Sequence, residues 1–443
     1  MEYFQRNIDK ELLKWKNSKR RKPILIRGAR QVGKTKAIQN LGLKFEYFLE
    51  INFEENKDIH SIFAGRLSPT EICENLSAIY NMPIIAGKTL LFFDEIQSCI
   101  PAIESLRFFY EKIPDLHLIA AGSLLEFALS YIPSFGVGRI RSMFLYPLSF
   151  DEFLMALDET KLLKLKNKAD YKNPLDEAVH KKLLNYLKKF LLLGGMPEVI
   201  ASYVETKDFI ASRQILDDLL LTYNDDFSKY KKKVPSKRLR DIFVSTANQM
   251  GRKFVYSKTN TEANHKQIKE SMDLLIQAGL IIPVIHSSAN ELPLGAEINY
   301  KKQKMLLLDT GLLLRLLDLD IGEIILHDEF NVINKGSIAE MFTGLEILKY
   351  QSPLKKTQLF YWHREAKNSN AEVDYLIAKN NSIIPVEVKS GSTGKMQSLF
   401  LFIKEKKLNF GIRISTENFS YYKNIFVYPL YAVKNILNNQ ISF

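Results

Sequence analysis

The chain has 443 residues, of which 46% are hydrophobic and 25% are charged, and it carries a formal net charge of +12. One hydrophobic core seldom serves more than about 300 residues, so we expect two to four domains, and the composition excludes a disordered or fibrous protein. Its two cysteines, Cys73 and Cys99, lie in neither a CxxC pair nor a histidine cluster, which argues against a disulfide framework and a zinc site.

The N-terminal segment lacks the apolar stretch of a signal peptide, and no run of about 18 apolar residues occurs. We therefore expect a cytoplasmic protein that does not span a membrane. The positive charge permits binding to a polyanion and is equally able to keep the protein soluble. It is concentrated around Pro235, where the cationic residues are Lys229, Lys231, Lys232, Lys233, Lys237, Arg238 and Arg240.

Residues 1–148 predict a first domain in which apolar strands and helices alternate. An amphipathic helix is expected at 1–22, followed by strands at 23–26, 89–93 and 116–121, with a helix at 103–112. This alternation is typical of a parallel sheet covered by helices.

The rest of the chain predicts three further domains. Residues 149–228 have the apolar periodicity of long helices and predict a helical lid, broken by Gly194, Gly195 and Pro197. Residues 229–325 predict a winged-helix-like domain, with helices at 239–250 and 264–278 and strands at 280–286 and 304–308. Residues 326–443 predict an α/β domain with a helix at 337–350 and strands at 358–362, 372–378 and 383–389.

A phosphate-binding loop is predicted between the first strand and the next helix. The residues from Gly28 to Thr35 match G-x-x-x-x-G-K-[ST], in which glycines let backbone amides curl around phosphate. Lys34 would reach the terminal phosphates, and the hydroxyl of Thr35 would bind magnesium. The predicted cofactors are ATP and Mg²⁺, and the predicted binding residues are Gly28, Ala29, Arg30, Gln31, Val32, Gly33, Lys34 and Thr35.

Two carboxylates directly follow the apolar run at 90–93. A strand buried on both faces exposes such acids at its C-terminal edge, where open α/β sheets bind ligands. We expect Asp94 to hold the magnesium ion through water, and Glu95 to orient or activate the attacking water. The alternative for Glu95 is a surface charge at a strand end.

Two more residues are candidates for sensing or stabilising the γ-phosphate. Ser123 follows the strand at 116–121, and the alternative is that it caps a helix at 124–130. Arg139 follows a glycine-containing segment and could act as an arginine finger on its own nucleotide or on that of a neighbouring subunit. An oligomer is therefore left open.

Taken together, the motifs resemble those of prokaryotic AAA-type ATPases that carry a C-terminal domain of unknown function 4143. The resemblance implies ATP binding and hydrolysis and leaves the cellular role open. The matching segments are Gly28 to Thr35, Asp94 to Gln97, Gly122 to Leu125, Gly138-Arg139, Tyr146 to Phe153 and Gly194 to Glu198.

Near the C-terminus, Asn380-Asn381 predicts a tight hairpin turn between two strands. If these residues form the turn, Lys379 lies opposite Ser382 and Asp374 lies opposite Glu387. Like charges across a strand pair repel each other, so this arrangement requires a cation.

The hairpin segment resembles the D…E-x-K arrangement of PD-(D/E)XK nucleases. The resemblance implies that Asp374 and Glu387 bind a metal ion, with Glu340 as the upstream acid, and that Lys389 positions or activates water. The alternative is that Glu372–Lys389 and Glu387–Lys379 are ordinary surface ion pairs.

The predicted fold class is therefore α/β: a P-loop AAA-type parallel sheet core with a helical lid, a winged helix and a C-terminal PD-(D/E)XK nuclease-like domain. The first functional hypothesis is an ATPase that acts on DNA, with groove contacts from the polar helix at 264–278. The second is a nucleotide-dependent switch that recruits a protein partner and carries a catalytically inactive nuclease-like module. A metabolic kinase is disfavoured, because Asp94-Glu95 suits water activation.

Overall fold

The computed structural model describes residues 3–65, 68–123, 125–129, 138–230, 234–319, 336–365, 370–391 and 396–438. The chain divides into two compact units, one formed by residues 1–147, 277–279 and 352–356 and the other by the remainder. The predicted boundary at 325–326, lysines 231–233 and most of the segment before Arg139 lie outside the described residues. Each described helix is too short or too polar to cross a membrane.

The first unit is built on a parallel sheet. Its strands are β1 (Ile24–Arg27), β2 (Tyr47–Asn52), β3 (Thr89–Asp94), β4 (His117–Ala121) and β5 (Arg141–Phe144). They lie in the order β2-β3-β4-β1-β5, and every neighbouring pair is parallel. All residues of β3 and β4 are buried, and apart from Thr89, Asp94 and His117 at the strand ends they are apolar, as expected for strands covered on both faces. The predicted parallel sheet is confirmed.

Helices precede and connect the strands of this sheet. They are α1 (Asn7–Lys16), α2 (Lys34–Gly42), α3 (His60–Ala64), α4 (Pro69–Tyr80), α5 (Ile100–Lys112) and α6 (Leu125–Leu129). The helix predicted at 1–22 is shorter than expected, because it starts at Asn7 and ends before the cationic stretch that follows Lys16. Cys73 and Cys99 are free thiols in the core of this unit.

The second unit begins with helices, as predicted for 149–228. They are α7 (Phe150–Ala156), α8 (Thr160–Lys168), α9 (Glu177–Leu193), α10 (Pro197–Thr206) and α11 (Phe209–Asp226). Ser149 starts α7 with a capping box, in which its side chain accepts from the backbone N–H of Glu152. At its other end α9 stops at Gly194, whose φ of 74° is a left-handed conformation that favours glycine.

Further α-helices follow along the chain of the second unit. The described residues of the two units together also contain six short 3₁₀ turns. The helices are α12 (Ser236–Asn248), α13 (His265–Gln277), α14 (Thr310–Leu316), α15 (Gly336–Tyr350), α16 (Gln397–Glu405) and α17 (Val433–Asn438). The 3₁₀ turns are Lys57–Ile59, Ile96–Ser98, Phe227–Tyr230, Tyr256–Lys258, Leu294–Glu297 and Leu430–Ala432.

A mixed sheet forms the centre of the second unit. Its strands are β6 (Ile281–Ser287), β7 (Ile298–Leu307), β8 (Leu359–His363), β9 (Glu372–Lys379), β10 (Ser382–Val388), β11 (Gly411–Ser415), β12 (Ser420–Tyr422) and β13 (Ile425–Pro429). Their order is β12-β13-β11-β10-β9-β8-β6-β7, and β6 pairs with β8 in parallel. The strands predicted for the winged helix and those predicted for the C-terminal domain therefore share one sheet. The four-domain division stays a prediction.

The hairpin of β9 and β10 has the register expected from its turn. Asn380 and Asn381 have φ values of 50° and 57°, and Lys379 lies opposite Ser382. The register continues to Tyr375 opposite Val386, which brings Asp374 and Glu387 to the same end of the two strands. The predicted hairpin is confirmed, and so is its register from the pair Lys379–Ser382 to the pair Tyr375–Val386.

Candidate nucleotide site and C-terminal acidic cluster

The loop from Gly28 to Thr35 connects β1 to α2, as predicted. Gly33 precedes α2 with a φ of 93° and Gln31 has a φ of 62°, so the loop turns its backbone through left-handed conformations. At Gly28 a Cβ atom would lie 2.2 Å from the carbonyl oxygen of Leu145, so only glycine fits. Such a turn before a helix N-terminus presents backbone N–H groups to an anion.

Lys34 is buried at the start of α2 and lies against this loop. Its Nζ atom donates hydrogen bonds to the carbonyl oxygens of Gly28 and Ala29, at 3.2 and 2.8 Å. Burial lowers the pKa of Lys34 to about 8, although the nearby Glu95 and Asp94 oppose that shift. An ammonium group removed from water in this way favours an anionic ligand such as a phosphate.

Thr35 and Asp94 lie next to each other. The Thr35 hydroxyl donates a 2.8 Å hydrogen bond to Oδ2 of Asp94, at the end of β3. Burial raises the pKa of Asp94 to about 6, and the bond from Thr35 opposes this shift. A hydroxyl and a carboxylate at this separation are the oxygen ligands that magnesium prefers, so these residues fit the implied ion.

Glu95 follows Asp94 in a strained conformation, with a φ of 46°. Its Oε2 atom accepts a 2.5 Å hydrogen bond from Nε2 of Gln97 and a longer one, at 3.5 Å, from the hydroxyl of Ser123. The structure therefore brings Glu95 and Ser123 together, and the carboxylate is held on two sides.

Gln97 is a residue to which the sequence reasoning gave no role. No local pattern in the sequence points to this role, because the contact depends on the distant Gly122, where a Cβ atom would lie 1.9 Å from Oε1 of Gln97. The absence of a side chain at Gly122 leaves the space that the Gln97 amide fills.

Arg6 is a second residue that sequence reasoning missed. It is buried, and its two terminal nitrogens donate to the carbonyl oxygens of Val32 and Tyr146, at 3.0 and 2.6 Å. These bonds tie the N-terminal segment to the phosphate-binding loop. A single arginine before the first helix gives no local pattern from which this contact could be predicted.

The arginines of the site make ion pairs with nearby acids. Arg139 is about half exposed and pairs with Glu111 on α5. In the loop, Arg30 lies 3.7 Å from a carboxylate oxygen of Glu54. The structure thus places Arg139 beside α5, and its role as an arginine finger stays a prediction.

The C-terminal acids lie together in the second unit, with a lysine that the sequence analysis did not include. Lys304, on β7, is buried, and its Nζ atom lies 2.7 Å from Oε1 of Glu340 and 3.7 Å from Oδ1 of Asp374. The same ammonium group pairs with Glu372. The three carboxylates come from α15 and β9.

The other half of this cluster is formed by the end of β10. Lys389 donates a 2.5 Å hydrogen bond to Oε1 of Glu387, and Oδ2 of Asp374 accepts the backbone N–H of Val388 at 2.8 Å. Burial raises the pKa of Glu387 to about 7, and Asp374 adds to the shift while Lys389 opposes it. Glu387 thus pairs with Lys389, while Lys379 donates to the carbonyl oxygen of Ile436, and the alternative of ordinary surface ion pairs stays a prediction.

Three family models match this chain. Residues 20–154 match a family described as an AAA domain, residues 184–321 match a domain of unknown function named DUF8612, and residues 335–433 match the domain of unknown function DUF4143. The resemblance to AAA-type ATPases with a DUF4143 domain is confirmed.

One curated relative and two solved structures show how far similarity extends. An uncharacterized protein of Methanocaldococcus jannaschii is 27% identical in an alignment of 411 positions, which covers 89% of this chain and 82% of that protein. A Walker-type ATPase of Pyrococcus abyssi has a TM-score of 0.45 at 16% identity and covers 71% of this chain and 96% of its own. The ORC1 protein of Aeropyrum pernix, solved with DNA, has a TM-score of 0.28 at 12% identity and covers 72% and 92%.

Proposed function

We propose that this chain, which is an AAA-type P-loop ATPase with a C-terminal DUF4143 domain, binds ATP and magnesium at Gly28 to Thr35 and hydrolyses ATP with Glu95. The observation that carries the proposal is the 2.8 Å bond between Thr35 and Asp94, one residue before Glu95. It joins a loop suited to phosphate with a carboxylate suited to magnesium, and the adjacent Glu95 carries the carboxylate suited to water activation.

Each residue has a separate task in this proposal. The backbone N–H groups of the loop and the Lys34 ammonium bind the phosphates, and Thr35 and Asp94 hold the ion. Magnesium, when bound, neutralises charge on the phosphates. Glu95 accepts the proton of the attacking water, while Gln97 and Ser123 hold its carboxylate in position.

Binding and hydrolysis are tested with two separate variants. Lys34→Ala should lose binding of a fluorescent ATP analogue, because the buried ammonium is removed from the loop. Lys36→Ala, a lysine two positions further along α2, is the matched control and should bind as wild type does. Normal binding by Lys34→Ala would overturn the phosphate assignment.

We further propose that double-stranded DNA is the macromolecule on which the ATPase acts. The supporting observation is a set of exposed cationic side chains on α12 and α13, namely Lys237, Arg240, Lys266 and Lys269. Beside them an open groove of about 490 Å³ is lined by polar and cationic residues together with two acids, namely Lys237, Arg238, Asn260, Thr261, Gln267, Asp241 and Glu262. Cationic groups suit phosphates, and amide side chains suit base edges.

The salt dependence of duplex binding tests this second proposal. Replacing Lys266 and Lys269 by alanine should weaken binding and reduce the slope of log affinity against log salt by roughly 0.9 for each lost phosphate contact. Lys161 and Lys164 on α8 are matched controls that should leave the slope unchanged. Absence of salt-sensitive DNA binding would instead favour a nucleotide switch that recruits a protein partner.

A further inference from the structure

Lys304 takes an unusual path through the second unit. It projects from β7, which is the edge strand of the sheet, yet its side chain is only 1% exposed. Its Nζ atom lies 5.2 Å from the ring centroid of Tyr361 on β8. The same atom contacts carboxylates on β9 and α15. The side chain therefore crosses the face of the sheet to reach the acidic cluster.

The ammonium group lies where the acids need a positive charge. It contacts Glu340, Glu372 and Asp374 together, so it already supplies the cation that these like charges require. A metal ion bound by the same three carboxylates would have to occupy the position of Nζ. The implied metal and the observed lysine thus compete for one place.

We propose that Lys304 is the resident cation of the acidic cluster, so that the cluster binds no divalent metal ion and does not support metal-dependent nuclease chemistry. The proposal concerns the C-terminal domain and is independent of the nucleotide site.

The donors left over are too few for a metal site. Oε1 of Glu387 is taken by Lys389, and Oδ2 of Asp374 accepts the N–H of Val388. Oε2 of Glu387 is buried with no hydrogen-bond partner in the structure, so it is the atom at which a competing ion would bind first.

Manganese binding to the full-length protein tests the proposal. The measurement is loss of the free Mn²⁺ signal in electron paramagnetic resonance, without nucleotide and in an Asp94→Asn background that removes the carboxylate proposed to hold the P-loop ion. We compare this protein with Lys304→Met, Lys304→Arg and Lys302→Met. Lys302 is the matched control, because it lies on the same strand and pairs with a single exposed acid, Glu365.

Lys304→Met should gain one saturable Mn²⁺ site, because three carboxylates lose their cation, and Asp374→Asn in the same chain should abolish that site. The background protein with Lys304 intact should bind no Mn²⁺ at a saturable site, and the same result is expected for Lys304→Arg and for Lys302→Met. A saturable site with Lys304 intact, lost on Glu387→Gln, would overturn the proposal, and so would the lack of any gain in a folded Lys304→Met. If Lys304→Met does not fold, the measurement with Lys304 intact still decides.

Discussion

The hydroxyl of Thr35 donates a 2.8 Å hydrogen bond to Oδ2 of Asp94, so the first turn of α2 meets the end of β3 at a pair of oxygens. The two residues lie 59 positions apart in the chain, and the parallel sheet brings them together. This relationship defines the position at which the proposed magnesium ion would bind.

Asp94→Asn should therefore weaken the magnesium dependence of ATP turnover. The amide keeps the size of the side chain but removes the negative charge that the ion needs. A magnesium titration of phosphate release should shift to higher concentration, with nucleotide binding in the absence of magnesium unchanged. Glu50→Gln, on the neighbouring strand β2, is the control. A wild-type magnesium titration in Asp94→Asn would contradict the assignment.

Gln97→Ala should lower kcat and leave KM unchanged, because Glu95 loses its 2.5 Å donor while the phosphate loop is untouched. Misplacement of a catalytic group by about 1 Å can reduce the rate about 10²-fold. Gln39→Ala removes an amide that bonds to Glu50 and serves as the control. Steady-state kinetics give kcat and KM separately for both variants. A rise in KM as large as the fall in kcat would show that Gln97 acts on ATP binding.

His117 should make the first unit sensitive to acid. Its Nε2 atom bonds to the carbonyl of Lys16, Nδ1 is buried with no hydrogen-bond partner in the structure, and burial lowers the pKa to about 4 from the ordinary 6.5. The unfolded chain thus binds this proton more readily than the folded one. The free energy of unfolding therefore keeps its full value above pH 6.5. It falls by about 3 kcal/mol as the pH decreases from 6.5 to 4.

Denaturation monitored by the fluorescence of Trp15, in a Trp362→Phe background, measures this effect. Trp15 packs edge-on against His117, with ring centroids 5.5 Å apart. His117→Gln should be less stable at pH 7 and should lose less stability between pH 6.5 and 4 than the parent. An equal loss in both proteins would show that other groups cause the acid sensitivity.

Gly194→Ala should destabilise the second unit strongly. The residue has a φ of 74° and a ψ of −166°, a region almost confined to glycine, and a Cβ would lie 1.9 Å from Oδ1 of Asp309. Strain alone costs about 1–3 kcal/mol, and the contact adds to it. Gly87→Ala is the control, because φ is 83° and nothing lies within 4 Å. Thermal unfolding should show the larger loss for Gly194→Ala.

Part of this structure could be predicted from patterns of neighbouring residues in the sequence. The hairpin at Asn380-Asn381 was predictable because asparagine tolerates positive φ and the flanking strands alternate in polarity. The buried strand β3 was predictable because its apolar run ends in Asp94 and Glu95. In both cases the residues that determine the structure are adjacent in the chain.

Contacts between distant segments were not predictable. Arg6 reaches the carbonyl of Tyr146 across 140 positions, and Lys304 reaches Glu340 across 36. Neither residue has a sequence neighbour that indicates its partner, and for Lys304 the contact depends on a sheet order set by pairings such as β6 with β8. The sequence argument required a cation at the C-terminal acids but could not identify it as Lys304.

The most direct test of the ATPase account is a single-turnover measurement of ATP hydrolysis by wild type and Glu95→Gln, with nucleotide binding measured in the same samples. Wild type should release phosphate only with magnesium. Glu95→Gln should bind ATP equally well and hydrolyse it about 10²- to 10⁴-fold more slowly, because the amide cannot accept the proton of water. Hydrolysis by Glu95→Gln at the wild-type rate would contradict the account.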